Sequence, residues 1–140
     1  MASRTFFDTN VLVYLFDADA PVKQARAREA LGRALEQGAV VISTQVLQEF
    51  IVTVTRKLAR PLPAAEAEAA LRRLMELSVV QVDPDMILAA ALSGRRDRIS
   101  FWDALILTAA SAAGCEEVLS EDLQHGRSFG RVRIVNPLRG

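Results

Sequence analysis

The sequence predicts an α/β fold, a central and mainly parallel sheet of about five short strands covered by helices. Three observations predict it. Short apolar runs alternate with longer segments of helical period, the sequence mark of parallel strands joined by helical crossovers. Helix start and stop signals sit where that alternation needs them. The 140 residues are 51% apolar and 24% charged, the mixture of one ordinary globular domain, spanning residues 1–140.

Element by element, Thr5-Phe6-Phe7 reads as the first strand. Ala27, Leu31, Ala34 and Leu35 make a helical stripe that Gly38 closes, and Ala39 to Ile42 is the second strand. Val46, Phe50, Val54 and Leu58 mark the next helix, which must end before Pro61. Ala67, Leu71, Leu74 and Met75 form a third stripe, followed by a strand at Val79 to Val82. Asp83-Pro84 is an acceptor at the N-cap with proline at the first helical position, and it opens a helix with Ile87, Leu88, Ala91 and Leu92 as its apolar face. Ser100 opens the last clear helix, where Asp103, Ile106, Leu107 and Ala110 share a face. Val118-Leu119 and Val132 to Val135 are strands, with a loop expected over Gly126 to Gly130. No repeat or interdomain linker interrupts the pattern.

Composition narrows the chemistry. A single cysteine and a single histidine exclude an internal disulfide, a cysteine-rich zinc site and an HExxH pair. Cys115 reads as a small buried hydrophobe. With 17 Lys and Arg against 17 Asp and Glu the chain lacks the basic excess of a protein that coats nucleic acid. No signal-peptide pattern opens the sequence and no apolar run is long enough to span a bilayer, which points to the cytoplasm and away from membranes.

The informative feature is where four acids fall. Asp8 ends the first strand, Glu49 lies in the second turn of the helix after strand two, Asp103 is in the first turn of a helix, and Asp122 follows Val118-Leu119. In an open parallel sheet the carboxyl ends of the strands share one crevice, so these acids are placed to converge. Gathered carboxylates repel unless protons or cations lie among them. All-oxygen ligands select a hard ion, Mg²⁺ or Mn²⁺, which leaves coordination positions for water and phosphate. Each acid also has a plainer role. Ser100 and Asp103 have capping-box spacing, Glu49 suits a solvated helix face, and Asp8 and Asp122 suit turns. The set, rather than any member, carries the inference.

Phe7-Asp8-Thr9-Asn10-Val11-Leu12, Gln45-x-x-Gln48-Glu49-Phe50, Ser100-Phe101-Trp102-Asp103-Ala104-Leu105-Ile106 and Ser120-Glu121-Asp122-Leu123-Gln124 with Gly126 resemble the motifs of PIN-domain ribonucleases, in their order and spacing, most closely the VapC-like toxins of bacterial toxin–antitoxin pairs. The resemblance spans Phe6 to Pro137. It implies that Asp8, Glu49, Asp103 and Asp122 are the catalytic, metal-binding quartet of a Mg²⁺- or Mn²⁺-dependent endoribonuclease. It further implies that Thr9 and Asn10 orient the first aspartate and Ser120 the last, that Trp102 packs and positions its helix, and that a homodimer and a cognate antitoxin are partners. Glu121 reads as solvated beside Asp122.

RNA must also be held. Arg95, Arg96 and Arg98, just before Ser100, and His125 near Asp122 are the candidate contacts; Arg56, Lys57 and Arg60 suit the C-terminal dipole of their helix equally well. No aromatic stacking platform is evident, because Tyr14, Trp102 and most phenylalanines lie in apolar segments. The apolar early segment with Val11, Leu12, Tyr14, Leu15 and Phe16, together with the stripes of the Ala27 and Phe50 helices, suits either a partner surface or a fully internal core. Two other functions fit parts of the pattern. A phosphatase or phosphotransferase using Asp8 as nucleophile is opposed by Asn10 in place of a second aspartate and by the lack of a suitably set lysine, Lys23 and Lys57 being the only two. A non-catalytic PIN-like binding module is opposed by the complete quartet.

Overall fold

The computed structural model describes residues 3–139. In chain order they form β1 (Ser3–Phe7), α1 (Thr9–Tyr14), α2 (Pro21–Gln37), β2 (Gly38–Ser43), α3 (Thr44–Arg56), α4 (Ala64–Leu74), β3 (Ser78–Val80), α5 (Pro84–Asp97), α6 (Phe101–Ala112), β4 (Glu117–Leu119), β5 (Ser128–Phe129) and β6 (Val132–Val135). The sheet order is β3-β2-β1-β4-β6-β5, and every pairing is parallel except the β5–β6 hairpin. Phe6 and Phe7 are successive residues of an extended strand, so they face opposite sides of the sheet, yet both are fully buried. Both faces are therefore covered, which is the physical setting of an α/β sheet.

The chain runs from β1 outward through β2 to β3, then returns to place β4 on the other side of β1. That reversal leaves a crevice beyond the carboxyl ends of β1 and β4, the position where open α/β sheets bind ligands. The backbone N–H of Asp8 donates to the carbonyl of Leu119 at 2.9 Å and ties the two strand ends together.

The sequence-level caps hold. Asp83 accepts from the N–H of Met86, Ser100 from that of Asp103, and Gly38 closes α2 through a bond from its N–H to the carbonyl of Ala34. Cys115 is buried, and that burial pushes its thiol up to about 11, away from reactivity.

Three expectations are corrected. The sheet has six strands: Ser128–Phe129, inside the expected loop, pairs with Val132–Arg133 across a turn in which Gly130 has φ +60°. Two residues carry no periodicity; the Arg127 guanidinium over the Phe129 ring, 4.4 Å from its centroid, and bonded to the carbonyl of Asp97, holds them in place. Met75 is exposed, because α4 ends before it and Ala70 takes its place on the buried face. On α5 the buried positions are Ala90 and Gly94, while Ile87, Leu88 and Leu92 face outward. A Cβ added at Gly94 would stand 3.3 Å from that of Ala104 on α6, so the helices approach too closely for larger side chains between them. Of the two readings of the early apolar segment, a partner surface and an internal core, the core is the one found: Val11 and Leu12 lie in it with Tyr14, Leu15 and Phe16 packed against it, and an exposed apolar face is on α5 instead.

Gly38 is in register with Ser3, and a Cβ there would lie 2.0 Å from the Ser3 carbonyl oxygen. Gly38→Ala should therefore lower unfolding stability by about 1–3 kcal/mol through overpacking, whereas Gly32→Ala, in open space on α2, should raise it by up to about 1 kcal/mol. Denaturant unfolding of the two variants checks the contrast.

Candidate active site

A cleft of about 740 Å³ opens at the crevice beyond β1 and β4. Asp8, Glu49, Asp103 and Asp122 all line it, joined by Asp17 and Glu121, against a single cation, Lys57. Each acid arrives by a different route. Asp8 follows β1 and is the N-cap of α1, Glu49 projects from α3, Asp103 from the first turn of α6, and Asp122 from the segment after β4.

Asp8 is the buried member, and ordered donors surround it. Its Oδ1 accepts from the Thr9 N–H at 2.8 Å; its Oδ2 accepts from the Ser120 hydroxyl at 2.7 Å and the Asn10 amide at 3.2 Å. Burial nonetheless wins, lifting the carboxyl from 3.8 to about 6, with the Ser120 and Thr9 bonds lowering it and the charges of Glu49 and Asp122 raising it further. Asn10 is the brace of the site. Its amide nitrogen also donates to Asp122 at 3.0 Å, while its side-chain oxygen accepts from the Glu121 N–H at 3.0 Å.

The supporting roles differ in detail from those the motifs imply. Besides fixing Asp8 through its backbone, Thr9 donates its hydroxyl to Glu49 at 2.7 Å. Ser120 orients the first aspartate directly, and its oxygen also accepts from the N–H groups of Asp122 and Leu123. Glu121 is not freely solvated: Tyr14 donates to it at 2.9 Å and Lys23 forms an ion pair with it. Burial, then the bond to Glu121, pushes the Tyr14 hydroxyl above its ordinary range. Lys23 is thereby engaged away from Asp8. Gln45, which opens the second motif but has no role assigned from sequence, is buried at the cleft; it donates to the Trp102 carbonyl at 3.2 Å and to Glu49 at 3.4 Å. Its spacing, four residues before Glu49 on one helix face, was the available signal.

The expected RNA contacts stand elsewhere. Arg95, Arg96, Arg98 and His125 do not line the cleft: Arg96 pairs with Asp97, Arg98 ends α5 in the left-handed conformation, and His125 accepts from the Asn136 N–H through Nδ1. Lys57 does line it, and Arg60 pairs with Asp19. Trp102, expected to pack its helix, is 61% exposed at the cleft.

Among the described residues no three His, Cys, Asp or Glu side chains are drawn together as a finished metal cage. The reason lies in the bonding: Thr9 holds Glu49, and Asn10 stands between Asp8 and Asp122. The donor set still fits a hard ion. Mg²⁺ is ordinarily held by one or two carboxylates, with waters and phosphate oxygens completing its shell, so a closed cage is not required. Asp8 is buried and held by three donors, whereas Asp122 is exposed and held by the Asn10 amide alone. The Gln45 Oε1 is a buried acceptor without a partner, the kind of group that an ordered water satisfies.

The PIN-domain family model matches residues 5–130. Among solved structures, a Mycobacterium tuberculosis VapC20 toxin that cleaves the sarcin-ricin loop is 24% identical, covering 84% of this chain and 89% of that one at a TM-score of 0.66. A Klebsiella pneumoniae toxin–antitoxin complex matches at 20% identity, 95% and 97% coverage and a TM-score of 0.67. DNA-bound VapBC from Salmonella typhimurium matches at 19% identity, 96% and 97% coverage and 0.64. No curated protein gives a significant match. At these identities the structures show a shared fold.

Asp8 binds its proton more tightly in the folded chain than in the unfolded one. Its contribution therefore favours the fold below about pH 4 and is lost as pH rises through about 6, a change of about 3 kcal/mol. Stability of the metal-free protein minus that of Asp8→Asn should fall by about that amount between pH 4 and 7. Parallel curves from denaturant melts in EDTA would contradict it.

Proposed function

Because this chain belongs to the PIN-domain family, we propose that it is a metal-dependent endoribonuclease that hydrolyses RNA phosphodiester bonds, the toxin of a toxin–antitoxin pair. The observation that carries this reading is the convergence of Asp8, Glu49, Asp103 and Asp122 on one cleft at the switch point of the sheet, with Asp8 buried among oriented donors. The RNA-cleaving activity of the M. tuberculosis neighbour supports the substrate class. The K. pneumoniae complex supports an antitoxin partner, and the outward apolar face of Ile87, Leu88 and Leu92 supports a homodimer. Among the described residues no helix is long and apolar enough to cross a membrane.

Asp8, Glu49, Asp103 and Asp122 would hold Mg²⁺ or Mn²⁺. Such an ion would supply Lewis acidity toward a phosphate oxygen and would lower the pKa of a water able to act as nucleophile. Ser120, Thr9 and Asn10 keep the Asp8 oxygens aimed, and the Thr9 hydroxyl sets the Glu49 carboxylate. Lys57 neutralises part of the phosphate charge at the cleft wall. No histidine base is needed, which agrees with His125 being occupied by a backbone N–H.

Purified protein should cleave single-stranded or loop RNA with added Mg²⁺ or Mn²⁺ and lose that activity in EDTA. Asp8→Asn and Asp103→Asn should each lower kcat at least about 100-fold while still folding. Full activity of the variants, or activity in EDTA, would overturn the metal mechanism. Thr9→Val frees Glu49 and should raise the Mg²⁺ concentration for half-maximal cleavage by about 10-fold or more, read from a metal titration of the rate.

A further inference from the structure

An acidic cleft with one lysine cannot hold an RNA segment by charge alone. Six acids line it, so phosphates near the site meet repulsion that Lys57 offsets only in part. Beside the phosphate contacts that a metal held by the quartet would offer, the further source of affinity is the bases. Among the described residues the cleft carries two exposed apolar side chains, Trp102 at 61% and Val52 at 46%, and Trp102 is the one aromatic residue of its exposure.

The indole is held rather than loose. Its main chain is fixed by the Gln45 amide, which donates to the Trp102 carbonyl at 3.2 Å. Its ring meets Phe101 edge-on, centroids 5.0 Å apart and planes at 77°, and Phe101 is itself anchored in the small core formed by Ala90, Ala104 and Leu105. Trp102 sits in the first turn of α6, N-terminal to all of its buried residues, Ala104, Leu105, Ile106, Leu107, Ala109 and Ala110. A rigid, exposed ring loses little freedom on binding, and it stands next in sequence to Asp103.

We propose that Trp102 is a stacking platform for an unpaired RNA base, a positioning residue that seats the strand beside the acidic quartet; this rests on the reading of the cleft as an RNA-cleaving site. Stacking is tolerant of base identity and indifferent to charge, so it supplies the affinity that the cleft's acids deny to phosphates. It also favours single-stranded or loop RNA, because a paired base offers no free face.

Trp102 is the chain's sole tryptophan, so its emission reports on the contact directly. A phosphorothioate-linked single-stranded oligoribonucleotide, titrated with Mg²⁺ present, should quench that emission, and the same strand made abasic should not. Trp102→Ala should raise KM for an unpaired RNA by about 5- to 150-fold with a smaller effect on kcat, and Trp102→Phe should restore most of the loss. Active enzyme whose KM is unchanged by Trp102→Ala, or RNA binding seen by anisotropy without any change in emission, would overturn the stacking role alone. A changed oligomeric state of Trp102→Ala on sedimentation with KM unaltered would assign the ring to a protein contact and overturn it too. Wild-type protein that neither binds nor cleaves any RNA would remove the nuclease reading itself, and stacking with it.

Discussion

A carboxylate buried at the end of the first strand organises the site. Taking Asp8 out of water disfavours its charged form, and neighbouring Glu49 and Asp122 disfavour it further. The chain answers with donors drawn from two separate segments: Thr9 and Asn10 at the start of α1, and Ser120 after β4. Those donors can reach one carboxylate only because β1 and β4 are adjacent parallel strands in register, Phe7 opposite Leu119. The sheet order thus serves the electrostatics. Nor do the donors restore the ordinary pKa, and the part left uncompensated is what a divalent cation would relieve.

The neutral overall charge takes its meaning from this arrangement. Removing the four quartet acids from the 17 leaves 13 acidic residues against 17 basic ones, so a mildly cationic surface surrounds an anionic cleft. On the proposed nuclease reading, such a protein would hold RNA weakly in the absence of a bound metal. Within the cleft, affinity must come from neutralised phosphates and from exposed aromatic and apolar surface, and the exposure of Trp102 at its wall is consistent with that division of labour.

Much of this was legible in the sequence because it is written in local chemistry. Caps at Asp83 and Ser100, the strand ends and the four acids each leave a short-range signature, and the parallel topology follows from their alternation. What was not legible depends on how closely elements approach. Periodicity marks Ile87, Leu88 and Leu92 as a face but cannot reveal that α5 meets α6 through Ala90 and Gly94, which turns the larger residues outward. The same blindness hid Trp102, whose hydrophobicity suggested the core although it stands in the first turn of α6, ahead of the buried residues of that helix. Glu121 and Lys23, far apart in sequence, meet only through tertiary folding, and the two-residue β5 is too short for any pattern.

The most direct measurement of the central claim is anomalous diffraction at the manganese edge from crystals of the protein soaked in Mn²⁺. An anomalous peak in contact with an Asp8 carboxylate oxygen and at least one of Asp122, Asp103 or Glu49 is the expected result. A well-occupied peak elsewhere on the surface, with the Asp8 cleft empty at saturating Mn²⁺, would contradict it.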